Sequence, residues 1–218
     1  MISSRDLSAL PTLEKFKSLA KSLAMLDAIV CPEWEYRYYS FNSRWAAAEE
    51  MASMRNGQGD EWFCGFNAHG AFLKGFDHES KMSPWNSENS EVWPGVLGSV
   101  PEEFKAFATE PAFSMSNTTF CIWRSARDSK WNSGSIHYPE ADDPDGSGWM
   151  LAILDGDPST YKKWAEDYYD QAISLVAVEQ IYASTPLTTE LVKQVRAQAD
   201  FAGVLADAKE IGYRVAYS

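Results

Sequence analysis

Leu13, Phe16, Leu19, Leu23, Leu26 and Val30 recur at steps of three and four, with Lys15, Lys17, Lys21 and Ser22 on the remaining surface. That period lays one apolar stripe along a helix over 12–30, packed on a core. Pro32 ends it. The period then changes to two. In 34–41, Trp34, Tyr36 and Tyr38 fall on one face and Glu35 and Arg37 on the other, which predicts a strand. Segment 44–54 stays open between a short helix and a strand, because Ala46-Ala47-Ala48 favours helix and its neighbours read as strands.

Asn56-Gly57-Gln58-Gly59-Asp60 is a turn cluster. Strands over 61–66 and 71–76 follow, joined by a hairpin at Asn67-Ala68-His69-Gly70. Residues 80–99, rich in Ser, Asn, Pro and Trp, predict a long loop carrying Trp85 and Trp93. Ser99-Val100-Pro101-Glu102 has capping-box spacing and predicts a helix reaching about Thr109. Apolar residues at 118–123 and 131–138 predict two more strands, and 140–148 an acidic loop. Asp157-Pro158 sets an N-cap and a first-turn proline. Helices are then expected near 174–183, 187–198 and 201–211, the last capped by Gly212. Strands first and helices after indicate an α+β fold. The expectation is an N-terminal helix, a central antiparallel sheet of about five strands and a C-terminal helical segment. One domain spans 1–218, its α+β part about 1–139 and its helical part about 147–213.

Charge and composition narrow the function classes. Lys and Arg number 19 against 31 Asp and Glu, a net charge of −12, which repels phosphate backbones and anionic membranes and attracts basic proteins. No nucleic-acid and no membrane partner is expected. Nine Trp, ten Tyr and eleven Phe supply material for cores, pockets and interfaces alike. Cys31, Cys64 and Cys121 lie in apolar stretches and form no CxxC pair, so they read as buried reduced thiols. The N-terminus lacks a secretory pattern, and a cytoplasmic location is expected.

The search for catalytic chemistry returns little. Aligning an EF-hand loop on Gly146 places Asp143 and Asp145 well, but Ala141 and Ala152 fall where the first and last ligands belong. His69, His78 and His137 make no HxH or HExxH motif. Gly146-Ser147-Gly148 is not a nucleophile elbow. Gly57-Gln58-Gly59 lacks the lysine of a phosphate loop, and Asp60 and Glu61 would repel phosphate there. No catalytic residue, metal site or cofactor is predicted.

Two surfaces remain. From Pro139 to Asp170, nine carboxylates face only Lys162 and Lys163, with aromatic rings interleaved. Glu140, Asp142, Asp143, Asp145, Trp149, Asp157 and Trp164 are therefore candidates for holding a basic protein; the alternative is a solvated helical face. A second candidate is an aromatic pocket formed by Trp34, Tyr36, Trp62, His78, Glu79 and Trp123, serving a small ligand or an enzyme. A third reading is a structural subunit of a homo-oligomer.

The stretches Trp34-Glu35-Tyr36-Arg37-Tyr38-Tyr39-Ser40-Phe41-Asn42-Ser43, Glu49-Glu50-Met51-Ala52-Ser53-Met54-Arg55-Asn56-Gly57 and Gly75-Phe76-Asp77-His78-Glu79-Ser80 resemble a family of uncharacterised bacterial proteins. Acidity, size and the α+β pattern give a more distant likeness to bacterial toxin-immunity proteins. The first resemblance implies one folding unit and no particular activity. The second implies a cytosolic, acidic, immunity-like binding module.

Overall fold

The computed structural model describes residues 2–86 and 89–216; Ser87 and Glu88, inside the expected 80–99 loop, lie outside the described residues. Helix α1 (Leu13–Val30) is followed by strands β1 (Tyr39–Ala46), β2 (Glu49–Arg55), β3 (Glu61–Asn67) and β4 (Gly70–Phe76). A long connection carrying the short α2 (Lys105–Ala108) leads to β5 (Phe120–Ser125) and β6 (Asn132–Ser133). Helices α3 (Ser147–Leu151), α4 (Pro158–Tyr169), α5 (Leu175–Tyr182), α6 (Thr189–Val195) and α7 (Phe201–Ile211) complete the chain. The six strands form one antiparallel sheet in sequence order. This is the expected α+β class, with six strands rather than about five.

Alternation along the strands builds two cores. Phe41, Ala52, Met54, Trp62, Cys64, Phe66, Leu73 and Ile122 point to the side covered by α1. Met51, Phe63, Phe72, Cys121 and Trp123 point to the other, under Phe104, Phe107 and Phe113. Strand β4 is buried at every position. It therefore carries two adaptations. Gly75 has no side chain because a Cβ there would sit 2.0 Å from the Phe120 ring. Lys74, fully buried, sends its ammonium to Glu61 Oε1 at 2.8 Å and the Asn117 carbonyl at 3.0 Å, against the Phe63 ring. A buried ammonium left without such partners would be strongly destabilising.

Helix α1 lies between the sheet and the C-terminal helices, so its second half is buried almost all round rather than along one stripe. Ser22, expected on the surface, is buried and donates to the Ile181 carbonyl at 2.9 Å. Asp27 is also fully buried. Its Oδ2 accepts from the Tyr38 and Tyr39 amides and the Tyr169 hydroxyl, and its Oδ1 from the Tyr161 hydroxyl, all within 2.7–2.9 Å. One carboxylate thus ties α1 to the start of β1 and to α4. Burial pushes its pKa up to about 6 against the opposing effect of these donors.

Several expectations are corrected. Residues 34–36 form a 3-10 turn, not a strand. Arg37 folds back to donate to the carbonyls of Cys31 and Pro32 and pairs with Asp207, which bends the chain before β1 begins. The ambiguous 44–54 region is the β1–β2 hairpin, since pairing on β3 outweighs the alanines' helix preference. Ser99 has a left-handed backbone (φ +67°), so it caps nothing; a 3-10 turn at Glu102–Phe104 leads into α2. The expected strand 131–138 pairs only at Asn132–Ser133, because Gly134 is pressed onto the carbonyl of Gly95 and the chain leaves the sheet. Asp157 and Gly212 cap α4 and α7 as read.

Candidate functional site

The β3–β4 hairpin turns at Ala68-His69, with Asn67 paired to Gly70. Counting outward in that register pairs Glu61 with Phe76, so the next residues, Asp60 and Asp77, emerge together at the far end of the two strands. Each is held by its own loop. Asn56 Oδ1 accepts from the amides of Gln58 (2.8 Å) and Asp60 (3.1 Å), closing the turn before β3. Asp77 Oδ1 accepts from the amides of Glu79 (2.9 Å) and Ser80 (3.0 Å), closing the turn after β4.

His78 sits between them. Its backbone amide donates to Asp60 Oδ1 at 3.0 Å, and its Nδ1 lies 2.7 Å from the same oxygen. Asp60 is buried, whereas the imidazole keeps part of its surface in solvent. That hydrogen bond favours the charged ring and raises the His78 pKa above its ordinary value. On the free side, Nε2 stands 3.9 Å from the Glu79 carboxylate. The Trp85 ring packs 5.9 Å from the imidazole and edge-on to Phe76, leaving 58% of the tryptophan exposed.

The acidic loop joins this site from the other side. Trp149 donates its indole Nε1–H to Asp77 Oδ2 at 3.0 Å while 43% of the residue stays exposed. Gly146 allows the approach: its backbone has φ +76°, and a Cβ there would lie 2.3 Å from Asp77. The amide of Met82 donates to the Pro144 carbonyl, and Lys81 donates to the carbonyl of Glu140. Arg5 holds the carbonyls of Ala141 and Asp142. These contacts fix the loop by its backbone and leave the side chains of Glu140 and Asp142 exposed.

The other acidic candidates do structural work. Asp145 is buried at 1% exposure, ringed by the hydroxyls of Ser4 and Ser147, with the Ser147 amide at 3.0 Å; burial raises its pKa. Asp143 receives the amides of Gly148 (3.0 Å) and Trp149 (3.1 Å) at the start of α3. Asp157 caps α4 through the Ser159 amide at 2.8 Å. Trp164 is half-buried among Tyr38, Tyr39, Tyr161 and Tyr168. Of these four, Asp145 is withdrawn from the surface and Trp164 is partly covered, while Asp143 and the exposed Asp157 accept from backbone amides.

The six pocket candidates do not converge. Trp62 is buried on the α1 side of the sheet and Trp123 on the opposite side. Trp34 and Tyr36 are exposed on the 3-10 turn, where Trp34 stacks with Arg55 at 4.7 Å. Only His78 and Glu79 meet. Residue reading missed Asp60 as the partner of His78, although the hairpin turn and the length of the two strands carry that information.

The three cysteines are free and buried. Among the described residues no helix is long and apolar enough to cross a membrane. No protein-family model, curated protein or solved structure matches the chain.

Proposed function

We propose that this chain is a protein-binding module that engages a basic partner at the end of the sheet that carries Asp77 and His78, where Trp149 bonds Asp77. One observation carries this reading. The exposed rings of Trp85, packed on His78, and of Trp149, bonded to Asp77, lie beside a group of carboxylates, and among the described residues none of Asp77, Glu79, Glu140 and Asp142 is ion-paired to a Lys or Arg. Fixed aromatic rings lose little side-chain freedom on binding and serve as anchors. Unneutralised acids around them favour Lys- and Arg-bearing surfaces and speed the encounter. The geometry favours this surface over the aromatic pocket, whose walls lie on opposite faces of the sheet. An immunity-like role, with the chain covering a basic toxin, is the form of this reading that its acidity fits.

An array of Lys- and Arg-rich peptides tests it. The wild type should bind a subset with an affinity that falls steeply with salt, because the charges are exposed. Trp149→Ala and Trp85→Ala should each weaken that subset about tenfold or more, as removal of an anchor does. Glu79→Gln with Asp142→Asn should flatten the salt dependence. Binding that is unchanged in all three variants would reject this surface.

A further inference from the structure

We propose that Asp60, Asp77 and His78 form a binding site for a first-row transition dication of the zinc and manganese class. One donor atom from each residue lies within 4.8 Å of the others. Bonds of about 2.1 Å place the ligands of one ion about 3–4 Å apart, so small side-chain rotations close the set. His78 Nδ1 and Asp60 Oδ1 now share a proton at 2.7 Å; the ion replaces that proton as the two atoms part to ligand spacing.

The donors select the class of ion. An imidazole nitrogen with two carboxylates suits zinc, manganese or iron(II), whereas calcium and magnesium take oxygen ligands and copper(I) takes sulfur. Three protein ligands leave open positions for water or for a group on another molecule.

Two further features support an ion here. Each carboxylate is also oriented by a side-chain donor from outside the set: Asn56 Nδ2 reaches Asp60 Oδ2 at 2.5 Å, and Trp149 Nε1 reaches Asp77 Oδ2 at 3.0 Å. Such outer contacts fix the ligands of real metal centres. The charge is also unbalanced. Asp60, Asp77 and Glu79 surround a single imidazole, and among the described residues no Lys or Arg is ion-paired to any of them. This inference does not depend on the partner reading, because it concerns the ion alone.

The test is calorimetric titration of ZnCl2, and separately MnCl2, into the full chain after treatment with a chelator. One saturable equivalent is expected. His78→Gln and Asp77→Asn should each weaken it about thirtyfold or more, and Trp149→Phe about tenfold, the range found for outer contacts. His69→Gln with His137→Gln should change nothing. Far-UV circular dichroism of each ion-free variant checks its fold. A measurement on the wild type needs no variant: bound Mn²⁺ should broaden the indole N–H resonance of Trp149 before those of Trp62 and Trp131. The proposal is overturned if the wild type shows no saturable binding. It is equally overturned if the ion persists in His78→Gln, or if Trp149 is spared by manganese.

Discussion

Replacing Asp27 by asparagine should remove a pH dependence that works against the folded state at neutral pH. The carboxyl is fully buried, and its pKa is about 6 in the native protein against 3.8 unfolded. Below the unfolded value both states hold the proton and the group is neutral in either. As pH rises through the interval, the unfolded chain ionises first and the native chain does not, so stability falls. Above about pH 6 the loss is complete and constant. At 1.36 kcal/mol per unit, the interval corresponds to about 3 kcal/mol. A carboxamide cannot ionise, so the Asp27→Asn variant lacks this slope. It also loses an acceptor for one of the four donors, a pH-independent penalty of about 1–2 kcal/mol. Urea unfolding followed by tryptophan fluorescence at about pH 3.5, 5, 6 and 7.5 gives the stabilities of both proteins. Wild type minus variant should fall by about 3 kcal/mol across that range. Asp145, raised by burial, and Asp157, lowered by its cap, have slopes of opposite sign, but both are present in the two proteins and cancel in the difference. A difference that is flat to within about 1 kcal/mol, or that rises with pH, would refute the account of Asp27 as a carboxyl held by burial.

Two stability predictions separate structural from surface roles. Asp145→Ala leaves Ser4 and Ser147 unpaired in a buried cage and should cost about 2–3 kcal/mol by urea midpoint, whereas Asp142→Asn, on the exposed loop, should stay within about 0.5 kcal/mol. Gly75→Ala forces a methyl onto the Phe120 ring and should cost about 1–3 kcal/mol by calorimetric melting.

What could be read from the residues depended on range. Period alone identified α1, β3, β4, β5 and the capped C-terminal helices, because each is specified by its own apolar spacing and end signals. Helix α1 shows the limit. Its stripe was legible, but Ser22 and Asp27 are buried only because α4 and α5 close over it, a tertiary event with no local signature. An acid in the run Met25-Leu26-Asp27-Ala28-Ile29 was the available sign that something polar had to meet it there. Residues 34–36 failed for the converse reason. Their alternation was real, but Arg37 has four acceptors, two carbonyls behind it and both oxygens of Asp207, and those contacts decide the backbone.

In the acidic region, composition counts charges without asking what each one holds. Asp143, Asp145 and Asp157 all sit where backbone amides need acceptors, at helix starts or beside buried hydroxyls. Asp next to Gly, Pro or Ser is a common sign of that use, and each of the three has such a neighbour or near-neighbour. The Asp60–His78 contact, in contrast, was accessible by counting. Side chains in paired strands alternate with period two, so a hairpin's turn fixes which residues face each other to its far end. From the two-residue turn at Ala68-His69, equal steps outward reach Asp60 on one strand and Asp77 on the other. A slip of one residue would set Asp60 against a different neighbour and swap the faces of Trp62 and Phe63, exposing each to the wrong core. The two cores therefore enforce the register, and the register brings His78 to its carboxylates.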